Sequence, residues 1–330
     1  MTAAKAASTG VFQRFQLGYS AQTRRGGPDG RYWRAMPDDS PYAEPDLRDA
    51  DAVADLFSQA AQANLDTPGR AGAVVDLPDS GQLLLTGDLH DNATNFQRLQ
   101  KLAGLESSPD NRAIFHEVIH GPDLVNGMDL SVRMLARVAA LKCRFPDQVY
   151  VMQSNHELAQ LRSEGLLKEG RDTVESFDEG LDFMYGGQAD AVREAMNAYL
   201  VSLLLAVRCA NGVFTSHSLP GNSRAKRFDP TVIDRVPTRE DLAEKGDAYY
   251  MVWGRNQNQD TLDMLAEAWG CKQFVVGHQP ADMGYEPLGD RMLVLASDHS
   301  HGVALPIDLS RTYDQEQLIE SIVPLASVVL

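Results

Sequence analysis

The chain contains 330 residues, of which 46 are Asp or Glu and 30 are Lys or Arg, so its net charge at pH 7 is −16. This acidic balance argues against a surface that binds nucleic acid or an anionic membrane, because both need clustered positive charge. Hydrophobic residues make up 43% of the chain. No run approaches the roughly 20 apolar residues of a membrane span, which indicates a soluble globular protein with a large core.

Cysteine usage and the N-terminal residues bear on the compartment. Cys143, Cys209 and Cys271 are far apart and odd in number, which fits a reducing cytoplasm and neither a disulfide framework nor a Cys-based metal site. The first residues lack the continuous apolar segment of a secretory signal. We therefore predict a cytoplasmic protein.

The N-terminal part differs in pattern from the rest. Residues 1–48 are rich in Gly, Pro, Arg and Asp without a sustained period, which predicts an irregular extension. From Ala50 to Asn64 apolar residues recur at helical spacing and predict one helix. We expect residues 1–80 to form this extension with its helix, and residues 81–330 to form the main domain.

Short apolar runs alternate with amphipathic segments in the main domain. The runs predict six buried strands: Leu83–Thr86, Ala113–Phe115, Val149–Met152, Val213–Thr215, Phe274–Val276 and Met292–Leu295. The segments between them predict four helices: Thr94–Leu102, Leu130–Lys142, Ala189–Val207 and Asn258–Trp269. Strands that alternate with helices predict an α/β fold.

All eight histidines come shortly after one of these six runs. They are His90, His116, His120, His156, His217, His278, His299 and His301. A single histidine is more often a hydrogen-bonded or surface imidazole, but the carboxyl ends of strands in α/β sheets are where loops bring distant side chains together. The pattern therefore predicts a common site. Oxygen and imidazole donors without cysteine suit Mn, Fe or Zn.

Four short motifs carry a family resemblance. In chain order they are Gly87-Asp88-Leu89-His90, Asn155-His156-Glu157, Ser216-His217 and Gly277-His278. In this order they resemble the calcineurin-like metallophosphoesterase superfamily. The stretches 203–218 and 277–297 are similar to its phosphoprotein phosphatase branch, which includes protein Ser/Thr phosphatases and diadenosine tetraphosphate hydrolases. The resemblance covers about residues 81–305 and implies a four-layer αββα sandwich of two packed mixed sheets flanked by helices.

The second motif of the branch is altered in this chain. Where the branch has GDxVDRG, this chain has His116-Glu117-Val118-Ile119-His120-Gly121. Glu117 stands at the position of the metal-bridging Asp, and His120 at that of the Asp that orients the catalytic histidine. Gly121 replaces a phosphate-binding Arg. On an extended chain Glu117 faces away from His116, so we expect Glu117 to bridge or to support a ligand imidazole, and His116 to lie in the core or behind the ligands.

The resemblance also implies two transition-metal ions, with Mn, Fe or Zn as candidates. The implied ligands are Asp88, His90 and Glu117 for one ion, and Glu117, Asn155, His217 and His278 for the other. Ions held this way can share a hydroxide that attacks phosphorus directly, without a covalent intermediate. The implied reaction is hydrolysis of a phosphomonoester.

The remaining candidate residues concern catalysis and substrate binding. His156 is the expected general acid for the leaving oxygen, and His120 is its expected orienting partner. Because Gly121 cannot contact phosphate, Arg255, Asn155 and His301 are candidates for substrate binding. Arg255 fits a solvated surface position equally well.

Two classes of function remain open. The leading hypothesis is a metal-dependent phosphatase whose substrate is a phosphoprotein or a small phosphorylated metabolite or nucleotide. The alternative is a noncatalytic or degenerate module that binds metal or phosphate, motivated by the altered second motif. Neither hypothesis predicts nucleic acid or a membrane as a partner, and the sequence leaves the oligomeric state open.

Overall fold

Side-chain caps define where the helices begin. Asp49 accepts hydrogen bonds from the backbone of Asp51 and Ala52, and Ser154 accepts one from the backbone N–H of Glu157.

The structure, a computed structural model, describes residues 46–168 and 170–330. In this part the α-helices are α1 Ala50–Leu65, α2 Ala93–Ala103, α3 Val132–Arg144, α4 Asn155–Arg162, α5 Thr173–Tyr185, α6 Ala189–Val201, α7 Asn222–Ala225, α8 Arg239–Leu242, α9 Asp247–Trp253, α10 Gln259–Trp269 and α11 Gln315–Glu320.

The strands form two large sheets and one small one. They are β1 Arg70–Ala71, β2 Val74–Leu77, β3 Gln82–Thr86, β4 Asn111–Phe115, β5 Val149–Val151, β6 Leu167–Lys168, β7 Arg171–Asp172, β8 Ala206–Cys209, β9 Val213–Ser216, β10 Gln273–Val276, β11 Tyr285–Leu288, β12 Met292–Leu295, β13 Val303–Asp308 and β14 Val323–Pro324. The seven-stranded sheet has the order β1-β2-β8-β9-β10-β12-β11, and the five-stranded sheet the order β14-β13-β3-β4-β5. Strands β6 and β7 form an antiparallel pair. Both large sheets mix parallel and antiparallel pairs.

Alternation along the strands lets the two large sheets pack face to face. In β3, Leu83 and Leu85 belong to a core cluster that also contains Val275 and Leu293 of the other sheet. Leu84 points the other way and belongs to the cluster formed with the helices. The result is two packed mixed sheets with helices on their outer faces, which is the predicted layer order.

The six predicted strands are all present, but one predicted helix is too long. The segment from Ala189 to Val207 was expected to be helical throughout, whereas α6 ends at Val201 and β8 begins at Ala206. The apolar residues at the end of this segment, up to Val207, form a short run, and a short apolar run fits a buried strand as well as a turn of a buried helix. Parallel pairing with β2 and antiparallel pairing with β9 select the strand.

Residues 50–77 are part of the main body. Helix α1 contributes Val53 and Phe57 to the core, where Phe57 stacks on Tyr199 of α6. Strand β2 lies inside the seven-stranded sheet, so a boundary at residue 80 would cut through that sheet. The helix predicted from Ala50 to Asn64 is present as α1, but residues 50–77 are not separate from the main domain as expected. Residues 1–45 lie outside the described part of the chain.

The helices of the described residues do not reach across a bilayer. The longest, α1, has 16 residues. None is both long and apolar enough to cross a membrane.

Candidate metal centre

The candidate site lies where the ends of β3 and β12 bring the two large sheets together. Asp88 forms isolated bridges with His116, which follows β4, and with Ala296, which follows β12. Gly87 permits this approach, because a Cβ at that position would lie 2.2 Å from the carbonyl oxygen of Leu295. Side chains from both sheets therefore meet at one edge.

Glu117 lies at the centre of the site. Its Oε1 is 2.9 Å from Nε2 of His90 and 3.7 Å from Nε2 of His156, and its Oε2 is 2.8 Å from Nε2 of His217. All four side chains are buried. The two oxygens of one carboxylate thus face two different sets of imidazoles, which is the arrangement that a bridging carboxylate needs.

The loop after β4 gives Glu117 this direction. The strand ends at Phe115, and Glu117 has a positive φ of 48°, so the extended backbone expected here is absent. Its carbonyl oxygen accepts hydrogen bonds from the backbone of Leu89 and His90. Glu157 holds the next two residues, because its Oε1 accepts the backbone N–H of Val118 at 2.8 Å and, at 3.3 Å, that of the residue after it.

On the far side of Glu117, an amide oxygen joins two imidazoles. Asn155 Oδ1 lies 2.7 Å from Nε2 of His217 and 2.8 Å from Nδ1 of His278. Glu117, His217 and His278 can converge on a single ion. With Asn155, these three residues make up the four ligands that the family resemblance implies for the second ion.

Asp88 occupies a different neighbourhood from the expected one. Its carboxylate accepts the backbone N–H of His278 and lies 3.5 Å from Nδ1 of His116 and 3.6 Å from Nδ1 of His217. Among the described residues, the compact groups are Asp88 with His116 and His217, His90 with Glu117 and His156, and Glu117 with His217 and His278. Asp88 and His90 therefore do not share one compact group. The three groups together form one cluster, to which both residues belong.

The sequence pattern predicted that His116 lies in the core or behind the ligands. In the structure, His116 is a member of the cluster. Its Nδ1 lies 2.9 Å from Nδ1 of His217, and its Nε2 lies 2.8 Å from the carbonyl oxygen of Thr86. Since a carbonyl only accepts, Nε2 carries the proton and Nδ1 offers its lone pair to the cluster. The signal in the sequence was a histidine at the glycine position of the second motif.

The expected pair of His156 and His120 is present. Their Nδ1 atoms lie 2.8 Å apart, and His156 occupies the first turn of α4. The ring of His120 packs edge-on against Phe177. The second nitrogen of His120, Nε2, lies 3.1 Å from Oε1 of Gln160.

The other candidates lie at the rim. Arg255 is exposed, and its Nε donates to Nε2 of His278 at 3.1 Å, so its guanidinium borders the cluster. His301 is exposed and its Nδ1 lies 3.1 Å from the carbonyl oxygen of Asp282. These contacts do not connect His301 to the cluster. Its role in substrate binding stays a prediction.

Burial and neighbouring charges set the protonation of the cluster. Burial raises the pKa of Asp88 to about 7, and the charge of Glu117 adds to the rise. Burial also acts to raise the pKa of Glu117, but His156, His217 and His90 outweigh it and hold that pKa well below its usual range. Burial lowers the pKa of His116 and of His278 to about 3. Burial also acts to lower the pKa of His217, but the charges of Glu117 and Asp88 outweigh it and raise that pKa. Neutral His116 and His278 beside an ionised Glu117 are forms that can bind a metal ion.

Solved structures of phosphatases share this architecture. The chain is similar to a protein serine/threonine phosphatase from Saccharomyces cerevisiae with similarity to human phosphatase PP5, with a TM-score of 0.57 and 15% identity over 84% of this chain and 93% of that chain. It is also similar to a cold-active protein-tyrosine phosphatase of a psychrophile, Shewanella sp., with a TM-score of 0.52 and 12% identity over 76% of this chain and 82% of that chain. No protein-family model matches the chain, and neither does any curated protein. The fold of this chain is therefore the predicted calcineurin-like sandwich, which it shares with these phosphatases.

Proposed function

We propose that the protein is a metal-dependent phosphatase that hydrolyses phosphomonoesters. The proposal rests on one observation: the two carboxylate oxygens of Glu117 face separate sets of imidazoles at the edge where the two sheets meet. The fold shared with phosphatases supports the same reaction class. We propose a phosphoprotein or a small phosphorylated metabolite or nucleotide as the substrate.

The donor atoms fit a pair of transition-metal ions. Glu117 Oε2 is buried without a well-aligned hydrogen bond, although Nε2 of His217 is only 2.8 Å away. Together with His278 they form a group compact enough to hold one cation, and carboxylate and imidazole ligands suit a transition metal. We assign Glu117 to both ions. The other proposed ligands are Asn155, His217 and His278 for one ion, and Asp88 and His90 for the other. Asp88 and His90 belong to different compact groups here, so we propose that this ion would draw their side chains together.

When bound, the ions would lower the pKa of a water for attack on phosphorus and would supply positive charge for the phosphate oxygens. The two carboxylates, Asp88 and Glu117, only partly offset that charge. An acidic protein can therefore still hold a phosphate dianion at this position.

Two residues of the chain would act on the substrate directly. Arg255 borders His278 at the exposed rim, where its planar fork can bind phosphate in place of the arginine that Gly121 has replaced. His156 directs Nε2 toward the cluster, 3.7 Å from Glu117 Oε1. From there it would protonate the leaving oxygen as the ester bond breaks.

Metal analysis combined with turnover tests the proposal. The full-length chain is stripped with a chelator, reloaded separately with Mn, Fe or Zn, and assayed on an aryl phosphate, with metal content measured by mass spectrometry. We expect two ions per chain in an active form and a loss of activity of at least about 100-fold after stripping. Unchanged hydrolysis by the stripped protein would overturn the metal-dependent mechanism. A loaded protein that hydrolyses no phosphate ester would support the noncatalytic binding module instead.

A further inference from the structure

We propose that Gln160 and Asp178 are positioning residues that act through His120 to set the tautomer and orientation of the His156 imidazole. This inference rests on the proposed role of His156 as the general acid. A histidine at position 120 can donate or accept through Nδ1, whereas the aspartate of the family pattern can only accept. Another group must therefore select one state of His120.

The selection begins at Asp178, on α5. Its Oδ1 accepts a hydrogen bond from Nε2 of Gln160 at 3.1 Å. A carboxylate only accepts, so the amide nitrogen of Gln160 faces Asp178 and the amide oxygen faces His120. Gln160 is itself buried at 4% exposure, so water is a poor substitute for either partner.

The amide oxygen of Gln160 then determines the tautomer of His120. Because Oε1 can only accept, Nε2 of His120 carries a proton and donates across the 3.1 Å contact. The neutral ring therefore has its lone pair on Nδ1. The backbone N–H of His120 donates to Oγ of Ser131 at 2.9 Å, and the ring packs against Phe177, so it cannot turn away readily.

His156 is the final residue of this relay. Its Nδ1 donates to the lone pair on Nδ1 of His120 at 2.8 Å, which leaves Nε2 directed at Glu117. With this orientation, His156 can carry protons on both nitrogens without a conflict, since His120 still accepts. If the Gln160 amide were reversed, His120 would donate instead, and a doubly protonated His156 would meet an opposing N–H.

Asp178 is held by a cation on the neighbouring helix. Nε of Arg193, on α6, lies 3.3 Å from Asp178 Oδ1, and its Nη2 lies 3.0 Å from Asp182. The relay therefore connects the α5–α6 pair to the site through Asp178, Gln160 and His120. Asp182 pairs with the same arginine, whereas the side-chain amide of Gln160 donates to Asp178, so Asp182 is a matched control.

Three variants separate the relay from general effects on the helices. Asp178→Ala removes the acceptor that orients Gln160, so the amide can reverse. Asp178→Asn keeps an acceptor oxygen and is the conservative rescue. Asp182→Ala removes a second carboxylate from Arg193, which keeps its ion pair with Asp190, and leaves the relay intact.

Nitrogen-15 spectra of the histidine rings in the metal-free full-length protein report the tautomers directly. We expect wild type, Asp178→Asn and Asp182→Ala to show protonated Nε2 on His120 and protonated Nδ1 on neutral His156. Asp178→Ala is expected to show mixed tautomers for both rings. Tautomers that are the same in all four proteins, or mixed tautomers in Asp182→Ala, would overturn the proposal.

Turnover of the metal-loaded proteins provides a second readout. Asp178→Ala should lower kcat about 10-fold on an alkyl phosphate, whose leaving oxygen needs a proton, and by less than about 2-fold on an aryl phosphate. Both ions should remain bound. Equal losses on the two substrates, or a similar loss in Asp178→Asn, would contradict the relay. If wild type hydrolyses neither ester, the proposed function fails while the tautomer spectra still test the relay.

Discussion

At the scale of single residues, the site is built on strained backbone. His90, Glu117, His120 and His278 have φ values of 43°, 48°, 60° and 65°. Each non-glycine residue in this left-handed region costs about 1–3 kcal/mol and persists only where its surroundings impose it. Hydrogen bonds between the loops after β3 and β4 hold His90 and Glu117 in this conformation. The backbone N–H of His120 donates to Ser131 Oγ, and that of His278 donates to the carboxylate of Asp88.

Glu117 provides the sharpest test at this scale. Glu117→Gln should lower the metal content at saturating Mn by at least one ion per chain, because it removes a charge that we assign to both ions. Loss of a mere supporting acceptor would weaken affinity only about 10 to 100-fold and would leave a site that loads fully. Metal analysis after gel filtration distinguishes the two outcomes.

Glu157→Gln is the matched control for Glu117→Gln. Glu157 is equally buried and lies at the same loop, but its oxygens accept from Ser154 and from the backbone of Val118. Gln keeps an oxygen for the backbone contact, so this variant should retain both ions. Full occupancy of Glu117→Gln with near-normal activity would contradict the bridging assignment.

At the scale of elements, the close contact between β3 and β12 forms the edge that carries the site. A Cβ at Gly87 would lie 2.2 Å from the carbonyl oxygen and 2.3 Å from the carbonyl carbon of Leu295. These are backbone atoms inside a sheet and cannot move aside as a flexible side chain can. The two sheets would have to separate at this point.

Gly87→Ala should therefore lower the free energy of unfolding by about 1–3 kcal/mol, the range of overpacked cores. Gly187→Ala is the control, because nothing lies within 4 Å of a Cβ added there. It should change stability by less than about 1 kcal/mol. Urea denaturation of both variants measures the difference, and similar stabilities would show that the sheets can adjust at Gly87.

At the scale of the whole molecule, one buried cation affects folding. Lys142 on α3 is 1% exposed, and its Nζ donates to Thr67 Oγ1 at 2.8 Å and to the carbonyl oxygen of Val149 at 3.0 Å. Burial lowers the pKa of Lys142 to about 7, and the charge of Arg70 adds to the effect. The lysine thus connects α3, β5 and the segment after α1 by hydrogen bonds to neutral oxygens.

This lysine predicts the pH dependence of stability. In the unfolded chain its pKa is about 10.4, so between pH 7 and pH 10 the unfolded state binds more protons than the folded state. Its contribution to the free energy of unfolding should therefore rise with pH, by up to about 1.4 kcal/mol per unit, and stay constant below pH 7. Urea denaturation of wild type and Lys142→Met from pH 6 to pH 9 isolates this term. Parallel pH profiles for the two proteins would refute it.

The sequence alone predicted the parts of the fold that depend on local pattern. Apolar runs of three or four residues predicted the six strands, and their alternation with helices predicted an α/β fold. The family resemblance implied the order of the layers. The order of short motifs placed the candidate ligands Asp88, Glu117, His217 and His278 at strand ends. Each of these features needs only neighbours in the chain, which is why a single sequence carries them.

Contacts between distant segments decided the rest. The apolar run at Ala206 became a strand because β2 and β9 pair with it. The positive φ of Glu117 and the position of His116 beside His217 depend on loops that meet across two sheets. Gln160 and Asp178 belong to no motif, since the role that we propose for them depends on a hydrogen-bond chain between helices. Such arrangements depend on distances between segments that are remote in sequence, and only the folded structure determines them.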